Sequence, residues 1–347
     1  MLDDRKMRVL RAVVEDYVST VEPVGSRTIA RKYSLGVSPA TIRNEMADLE
    51  EMGYLEQPHT SSGRVPSDLG YRYYVDWLMP QADLSSAVIE NIHRVLEEKT
   101  REIQALIQQT VKVLSDTTRY LAFVLGPQLD NARLHRLSIV PLMEGSALLV
   151  LVTDTGFVQT SVIDRPAGLA DEEIHGLYEA LSERLRGVPV DLCADEAVKV
   201  MNRELSAYKS VMREALDVLR SFVDDDPDER VYVGGTSRLF EQPEFRDVDK
   251  ARAVLGMLEH DQTVRELVNS RVTGQLNDGS VMVSIGGETG VKEIEDCSLV
   301  GTVLAVGGRS VGKIAVLGPR RMEYARVIAI VKHVQSKLSE ALSKGAG

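Results

Sequence analysis

The run Ser38-Pro39-Ala40-Thr41-Ile42-Arg43-Asn44-Glu45 carries side chains that can read the edges of bases. Asn can pair bidentately with adenine, Arg can do so with guanine, and Ala or a Thr methyl can meet a thymine methyl. At about 100° per residue, Ile42, Met46 and Leu49 fall on one stripe, Ala40 and Asn44 point the opposite way, and Thr41 and Arg43 lie on the flanks. A second group follows in His59-Thr60-Ser61-Ser62-Gly63-Arg64, a short polar loop with a cation at its far side. Such a loop can follow a phosphate backbone or put Arg64 into a minor groove.

These side chains need elements to hold them. Ser38 suits a helix N-cap and Pro39 the first helical position, where its missing N–H would be unpaired anyway. Thr41 stands where a capping box would need Glu or Gln, so no box is expected. Gly53 ends that helix. Upstream, Leu10, Val13, Val14, Tyr17 and Val18 recur at helical steps until Glu22-Pro23, and Ser26 can cap a second helix through Tyr33. Ser34 to Val37 makes the turn between the two later helices. Tyr54 to Gln57 and Arg64 to Pro66 flank the polar loop as a hairpin. Helix, turn, helix and hairpin is the layout of a winged-helix DNA reader. An ordinary small helical domain docking on a protein is the competing reading of the same spacing.

Charge supports a reader locally, not globally. Residues 1–79 hold 10 Lys plus Arg against 12 Asp plus Glu. The strongly basic balance usual for a nucleic-acid binder is therefore missing. Residues 23–44, however, hold Arg27, Arg31, Lys32 and Arg43 with no acid, and residues 57–67 hold Arg64 with none. A basic face on a near-neutral body follows, and each cation facing phosphate would add salt-dependent affinity.

Several stretches resemble the HrcA family of heat-inducible transcription repressors. They are Glu22-Pro23-Val24-Gly25-Ser26-Arg27-Thr28, Ala40-Thr41-Ile42-Arg43-Asn44-Glu45-Met46, Gln57-Pro58-His59-Thr60-Ser61-Ser62-Gly63-Arg64-Val65-Pro66 and Gly70-Tyr71-Arg72-Tyr73-Tyr74-Val75-Asp76. Val231 to Thr236, Gln242 to Phe245 and Val316 to Arg326 continue the likeness near the other end. Pro39, Ser62 and Ser67 depart mildly from the family's pattern. The resemblance implies a winged helix joined to a GAF-like domain that is split by an inserted dimerising domain. It also implies a dimeric repressor of chaperone operons, an inverted-repeat operator, and the chaperonin GroEL as a partner that maintains the active repressor. Carried onto this sequence, the DNA-binding residues are Ser26, Arg27, Thr28, Ser38, Ala40, Thr41, Arg43, Asn44, His59, Ser61 and Arg64.

The rest of the chain bounds the reading. A length of 347 residues suggests two or three domains, and 44% hydrophobic with 27% charged residues is an ordinary globular balance. Of the net charge of −11, −9 lies beyond residue 79. Two isolated cysteines, Cys193 and Cys297, fit a reducing cytoplasm. The N-terminus carries no apolar signal run, and no apolar stretch is long enough for a membrane span. Pro80 to Asp83 breaks the chain after Trp77, and residues 85–115 read as one long helix, favoured as lying on a sheet over a dimer coiled coil. Leu137 to Leu142, Ala147 to Thr153 and Phe157 to Ile163 read as a three-strand meander, followed by helices at 171–186 and 195–223. The second helix carries an apolar face through Tyr208 and Met212, and an acidic punctuation follows at Asp224 to Glu229. A strand at 231–235, helices near 247–269, strands near 280–285, 299–306 and 312–317, and a closing helix from Tyr324 to Leu342 complete a multidomain α+β chain. The expected boundaries are 1–79 for the winged-helix DNA-binding domain, 80–132 with 228–347 for a discontinuous GAF-like domain, and 133–227 for the inserted dimerisation domain.

Competing chemistry is weak. Gly307-Gly308-Arg309-Ser310-Val311-Gly312-Lys313 matches most of a phosphate-binding P-loop. Ile314 stands where a Ser or Thr should reach magnesium, and a strand follows where a helix is required. A glycine hairpin is the better reading. The six histidines are scattered without zinc spacing, and no catalytic constellation stands out. The expectation is a cytoplasmic dimeric repressor without catalytic activity or cofactor. The alternative is a metabolite-sensing winged-helix regulator with its ligand in the GAF-like domain.

Overall fold

The computed structural model describes residues 2–59, 62–97, 103–126, 132–142, 145–154, 158–164, 170–203, 231–273, 280–306 and 309–345. The expected apolar face at Tyr208 and Met212, the acidic run at 224–229, and Thr60 and Ser61 of the polar loop lie outside these residues.

The N-terminal elements are α1 (Asp4–Thr20), α2 (Ser26–Lys32), α3 (Pro39–Glu51), and the two-residue strands β1 (Leu55–Glu56) and β2 (Val65–Pro66), which pair antiparallel. Asp3 caps α1 by accepting from the Lys6 N–H at 2.8 Å. The apolar step pattern of α1 buries Val9, Leu10, Val13 and Val14. Helix α2 differs from expectation at its start. Gly25 is its N-cap and makes no side-chain bond, while Ser26 is the first helical residue rather than the cap. Glycine trails serine as a cap by only a few tenths of a kcal/mol, so local preference could not decide the register.

A short α4 (Asp68–Tyr73), capped by Ser67, runs into a single wide turn at Tyr74–Leu78. Then come α5 (Ser86–Glu97) and α6 (Ile103–Thr118). These replace the single helix expected over 85–115. The two pack on each other as well as on the C-terminal helix, which a straight rod cannot do. Both bury Ile92, Leu96, Leu106 and Val113 in one core, so the apolar rhythm runs through the break and hides it.

A five-stranded antiparallel sheet forms the centre. Its strands are β3 (Leu121–Leu125), β7 (Val231–Gly234), β8 (Met282–Ile285), β9 (Cys297–Val306) and β10 (Arg309–Pro319), in the order β7-β3-β10-β9-β8. Both faces are covered, which explains why every residue of β3 is buried. Ala122, Val124, Val300, Ile314 and Val316 face α5, α6 and the C-terminal helix. Leu121, Phe123, Leu125, Ala315 and Leu317 face the helices that follow β7. The helix expected to lie on a sheet is thus α6, which rests on β3 and β7.

Between β3 and β7 the chain leaves this sheet and builds another. Strands β4 (Leu134–Pro141), β5 (Ser146–Thr153) and β6 (Val158–Asp164) form a three-stranded antiparallel meander. It is backed by α7 (Asp171–Leu185) and α8 (Val190–Arg203), which begins five residues earlier than the sequence pattern suggests. This unit has its own core of Leu137, Leu149, Leu151, Tyr178 and Leu181. The chain then forms α9 (Thr236–Leu239), α10 (Val248–Leu258), α11 (Asp261–Arg271) and, after β10, α12 (Tyr324–Gly345).

Two of the scattered histidines meet. His93 of α5 and His333 of α12 stack with ring centroids 5.1 Å apart and planes 9° from parallel. Burial first, then the neighbouring His93 and Lys337, lowers the His333 pKa from its ordinary 6.5, with Glu340 acting against them. Above about pH 6.5 both folded and unfolded chains hold this ring neutral, so the full stability is present. As pH falls through that value the unfolded chain takes the proton first, and stability declines until the folded value is passed. The melting temperature should therefore drop between about pH 7 and 5 more steeply in the natural chain than in His333→Phe. Parallel pH profiles for the two proteins would contradict this.

Candidate nucleic-acid interface

Helix α3 is held as its sequence requires. The Ser38 hydroxyl accepts from the Thr41 N–H at 3.1 Å and sits 3.0 Å from the Thr41 hydroxyl. Those two hydroxyls therefore hold the first turn, and Thr41 is half-buried. Ile42, Met46 and Leu49 are buried against α1 and α2. Ala40, Arg43 and Asn44 are exposed on the other side, as the periodicity demands. Gly53, with φ +82°, takes the left-handed turn after the helix. Arg27 and Thr28 are exposed at the start of α2, and Ser26 is half-buried beside them.

The hairpin loop is organised by Ser62, which is not among the DNA-binding residues that the family resemblance implies. Its hydroxyl accepts from the His59 N–H at 3.1 Å and donates to the His59 carbonyl at 2.7 Å, while the Gln57 amide donates to the Ser62 carbonyl at 3.1 Å. His59 is left exposed at the loop. Ser61 lies outside the described residues. The geometry of Arg64 differs from the free cation anticipated for it. Its backbone bridges Val24, and its guanidinium turns inward to Glu50 of α3 at 2.7 Å.

Other charges are likewise engaged inside the unit. Glu45 of α3 is buried and accepts from Lys6 at 2.8 Å and Arg5 at 3.3 Å, and Lys6 also meets Asp48 at 2.9 Å. Hydrogen bonds to Glu45 and then Asp48 raise the Lys6 pKa. Asp16, buried in α1, takes Lys32 at 2.6 Å, and that bond raises the lysine's pKa. Lys32 thus leaves the basic face that the acid-free run suggested. Arg27, Arg31 and Arg43 remain exposed and without an ion pair among the described residues. The exposed surface of α2 and α3 therefore carries three unpaired arginines, and Ala40 and Asn44 are exposed on α3 with Arg43.

Comparison with known proteins gives the family. Residues 104–328 match the family model described as the HrcA protein C terminal domain. A protein of Symbiobacterium thermophilum named heat-inducible transcription repressor HrcA is 48% identical over 340 residues, covering 98% of both chains. The chain belongs to the HrcA family of heat-inducible transcription repressors. HrcA relatives from Carboxydothermus hydrogenoformans and Pelotomaculum thermopropionicum are 44% and 43% identical over 99% of this chain, and 98% and 97% of their own lengths are covered. A crystal structure of a hypothetical protein at 2.2 Å resolution shares the fold, with a TM-score of 0.68 at 22% identity over 99% of this chain and all of that one.

Among the described residues of this HrcA-family chain, the other motifs singled out in the sequence do not form a site. Residues 309–313 of the P-loop-like run lie on β10, where Arg309 pairs with Val306 and a bulge follows at Ser310–Gly312, while Gly307 and Gly308 lie outside the described residues. Lys313 lies mid-strand and donates to the Asn269 carbonyl at 3.3 Å, so no helix opens there to cradle phosphate. Burial pushes the Cys297 thiol up to about 12, which leaves it inert as a nucleophile. No group of three or more metal-ligating side chains forms among the described residues, and none of their helices is long and apolar enough to cross a membrane.

Proposed function

We propose that this chain acts as a cytoplasmic homodimer that represses chaperone operons by laying α3 of each copy in the major groove of an inverted-repeat operator. One observation carries the reading: α3 buries Ile42, Met46 and Leu49 while it presents Ala40, Arg43 and Asn44 to solvent. In this reading residues 1–79 are a winged helix, with the 57–64 loop as its wing on the phosphate backbone. Arg64 would exchange Glu50 for phosphate on binding, and Arg27 would lie along the backbone. Residues 80–132 with 228–347 would be the GAF-like body, and 133–227 the dimerising insert, for which the separate sheet and core give support. Selection of bound fragments from random duplex DNA at a stated salt concentration tests it. A two-fold symmetric motif supports the reading, and no enrichment overturns it.

The three-stranded sheet also supports the dimer. Strand register places Val140, Leu148 and Val162 in one row on the face turned from α7, with Val150 and then Val152 and Val158 in the rows beside it. Val162 is 65% exposed and Val140 47%. Contiguous valines at the surface mark an interaction face, and an isologous dimer needs one self-complementary patch. Val162→Asp should give monomers in sedimentation and weaken operator binding by more than about tenfold, since two half-sites would no longer be held together. A dimer of unchanged affinity would exclude this face.

The chaperonin enters by mass action. If the repressor is only marginally stable, withdrawal of chaperonin lowers its active fraction, and chaperone genes are released. Equal operator binding after refolding with and without chaperonin would remove this part of the proposal.

A further inference from the structure

The N-terminal unit is not hung on a free linker. Tyr71 and Tyr74 share one continuous core with α12, and the Tyr71 and Tyr324 rings lie 6.0 Å apart. Beside that apolar contact is a polar clasp built from one face of α4. The Asp68 carboxylate accepts from Arg320 at 2.8 Å with one oxygen and from the Gly287 N–H at 3.2 Å with the other. One helical turn later, Arg72 donates to the Val283 carbonyl at 2.6 Å and grips both oxygens of Glu288. Glu288 is itself fixed, because it accepts from the Ile285 N–H at 2.8 Å.

The receiving turn is shaped for this acid. Gly286 has φ +54°, and a Cβ there would stand 2.2 Å from an Asp68 oxygen. Only glycine supplies both the backbone conformation and the space. Half-exposed ion pairs contribute little to stability, but these bonds reach a backbone N–H, a backbone carbonyl and a forked carboxylate. Such partners specify direction. They lock the azimuth of α4 on the β8 turn, and α4 follows β2 with a single residue between them.

We infer that Asp68 and Arg72 are positioning residues that set the separation between the two half-sites this protein accepts. The inference rests on the proposed dimeric DNA reading. The body fixes how far apart the two α4 docking turns lie, and the clasp fixes how each α3 leaves its own turn. The two α3 helices therefore meet DNA at one spacing, where a loosely hung reader would accept many.

The test uses the full chain and duplexes enriched by it from random DNA, with the spacer between half-sites lengthened and shortened in single base-pair steps. The natural protein should lose about tenfold or more in affinity when the spacer changes by two base pairs. Asp68→Asn with Glu288→Gln, which keeps side-chain volume, should flatten that profile to within about threefold while an isolated half-site binds as before. Arg72→Glu alone should flatten it too, and Arg72→Glu with Glu288→Arg should recover part of the optimum, because the ion pair is remade while the bonds to the Val283 carbonyl and the Ile285 N–H are not. A mere loss of stability would lower binding at every spacing and leave the profile's shape unchanged. An unaltered spacing optimum in folded Asp68→Asn/Glu288→Gln protein overturns the inference alone. Failure of the natural chain to enrich any duplex overturns the DNA reading beneath it.

Discussion

Replacing Arg43 or Asn44 with alanine should cost this chain its sequence preference and leave its fold intact. Both side chains are exposed on α3 and neither holds an ion pair among the described residues. Substitutions at such positions usually stay within about 0.5 kcal/mol of the parent in stability. Each good bidentate pair to a base edge discriminates by about 1–3 kcal/mol, so either change should weaken specific binding by roughly fivefold to 150-fold. The residues are adjacent, and the double variant should fall short of the product of the singles. Titration of the selected duplex against a scrambled one, at one fixed salt concentration, reads the effect. Affinity for scrambled DNA should drop less for Asn44→Ala than for Arg43→Ala, because only arginine adds electrostatic attraction to phosphate. Full operator affinity in Asn44→Ala would remove α3 from the groove.

What the sequence could show about this site divides along one physical line. Features fixed by neighbours in the chain are legible. The Ser38 cap, proline at the first helical position, the buried stripe at Ile42, Met46 and Leu49, and the glycine stop at Gly53 all follow from local backbone chemistry. So do the three paired strands of the meander and the antiparallel β9–β10 pairing that stands where a P-loop would need a helix. Features fixed by distant partners are not. Lys32 reads as a free cation because nothing near it in sequence announces the buried Asp16. Arg64 reads as free because Glu50 belongs to another element. Nothing near Glu45 in sequence announces that it is buried under Lys6, 39 positions away. The break between α5 and α6 is invisible for the converse reason: both helices bury their faces in the same core, so the apolar rhythm does not change. The exposed charge pattern that matters for DNA is thus a difference between two sets of cations, and only the fold separates them.

That separation depends on how the hairpin is stapled to the rest of the reader, which makes Gly63→Ala the more damaging change. Gly63 does not owe its place to an unusual φ. An added Cβ would stand 2.4 Å from the Val24 oxygen, 2.5 Å from the Val24 carbonyl carbon and 2.6 Å from the Pro23 oxygen. All three are backbone atoms, so no rotamer change can make room. The same stretch carries the bridge that holds the hairpin, in which the Val24 N–H donates to the Arg64 carbonyl at 2.8 Å and the Arg64 N–H donates back at 2.9 Å. Overpacking costs about 1–3 kcal/mol, and each backbone bond lost would remove a further ~0.5–1.5 kcal/mol net. A destabilisation of about 2–4 kcal/mol follows if part of the bridge survives. Val24 is buried under the hairpin, and Arg64 reaches Glu50 only from this position, so displacement frees both. Operator affinity should fall with stability, and scrambled-DNA binding should fall with it, unlike the selective loss in Asn44→Ala. Thermal melts and duplex titrations on the same preparation separate the two signatures. Gly176→Ala, where nothing lies within 4 Å of the added carbon, is the clash-free control, and its place inside α7 should leave its melt equal to the parent's or slightly higher. If Gly63→Ala melts with that control, the hairpin is not anchored through Val24, and the inward turn of Arg64 loses its cause.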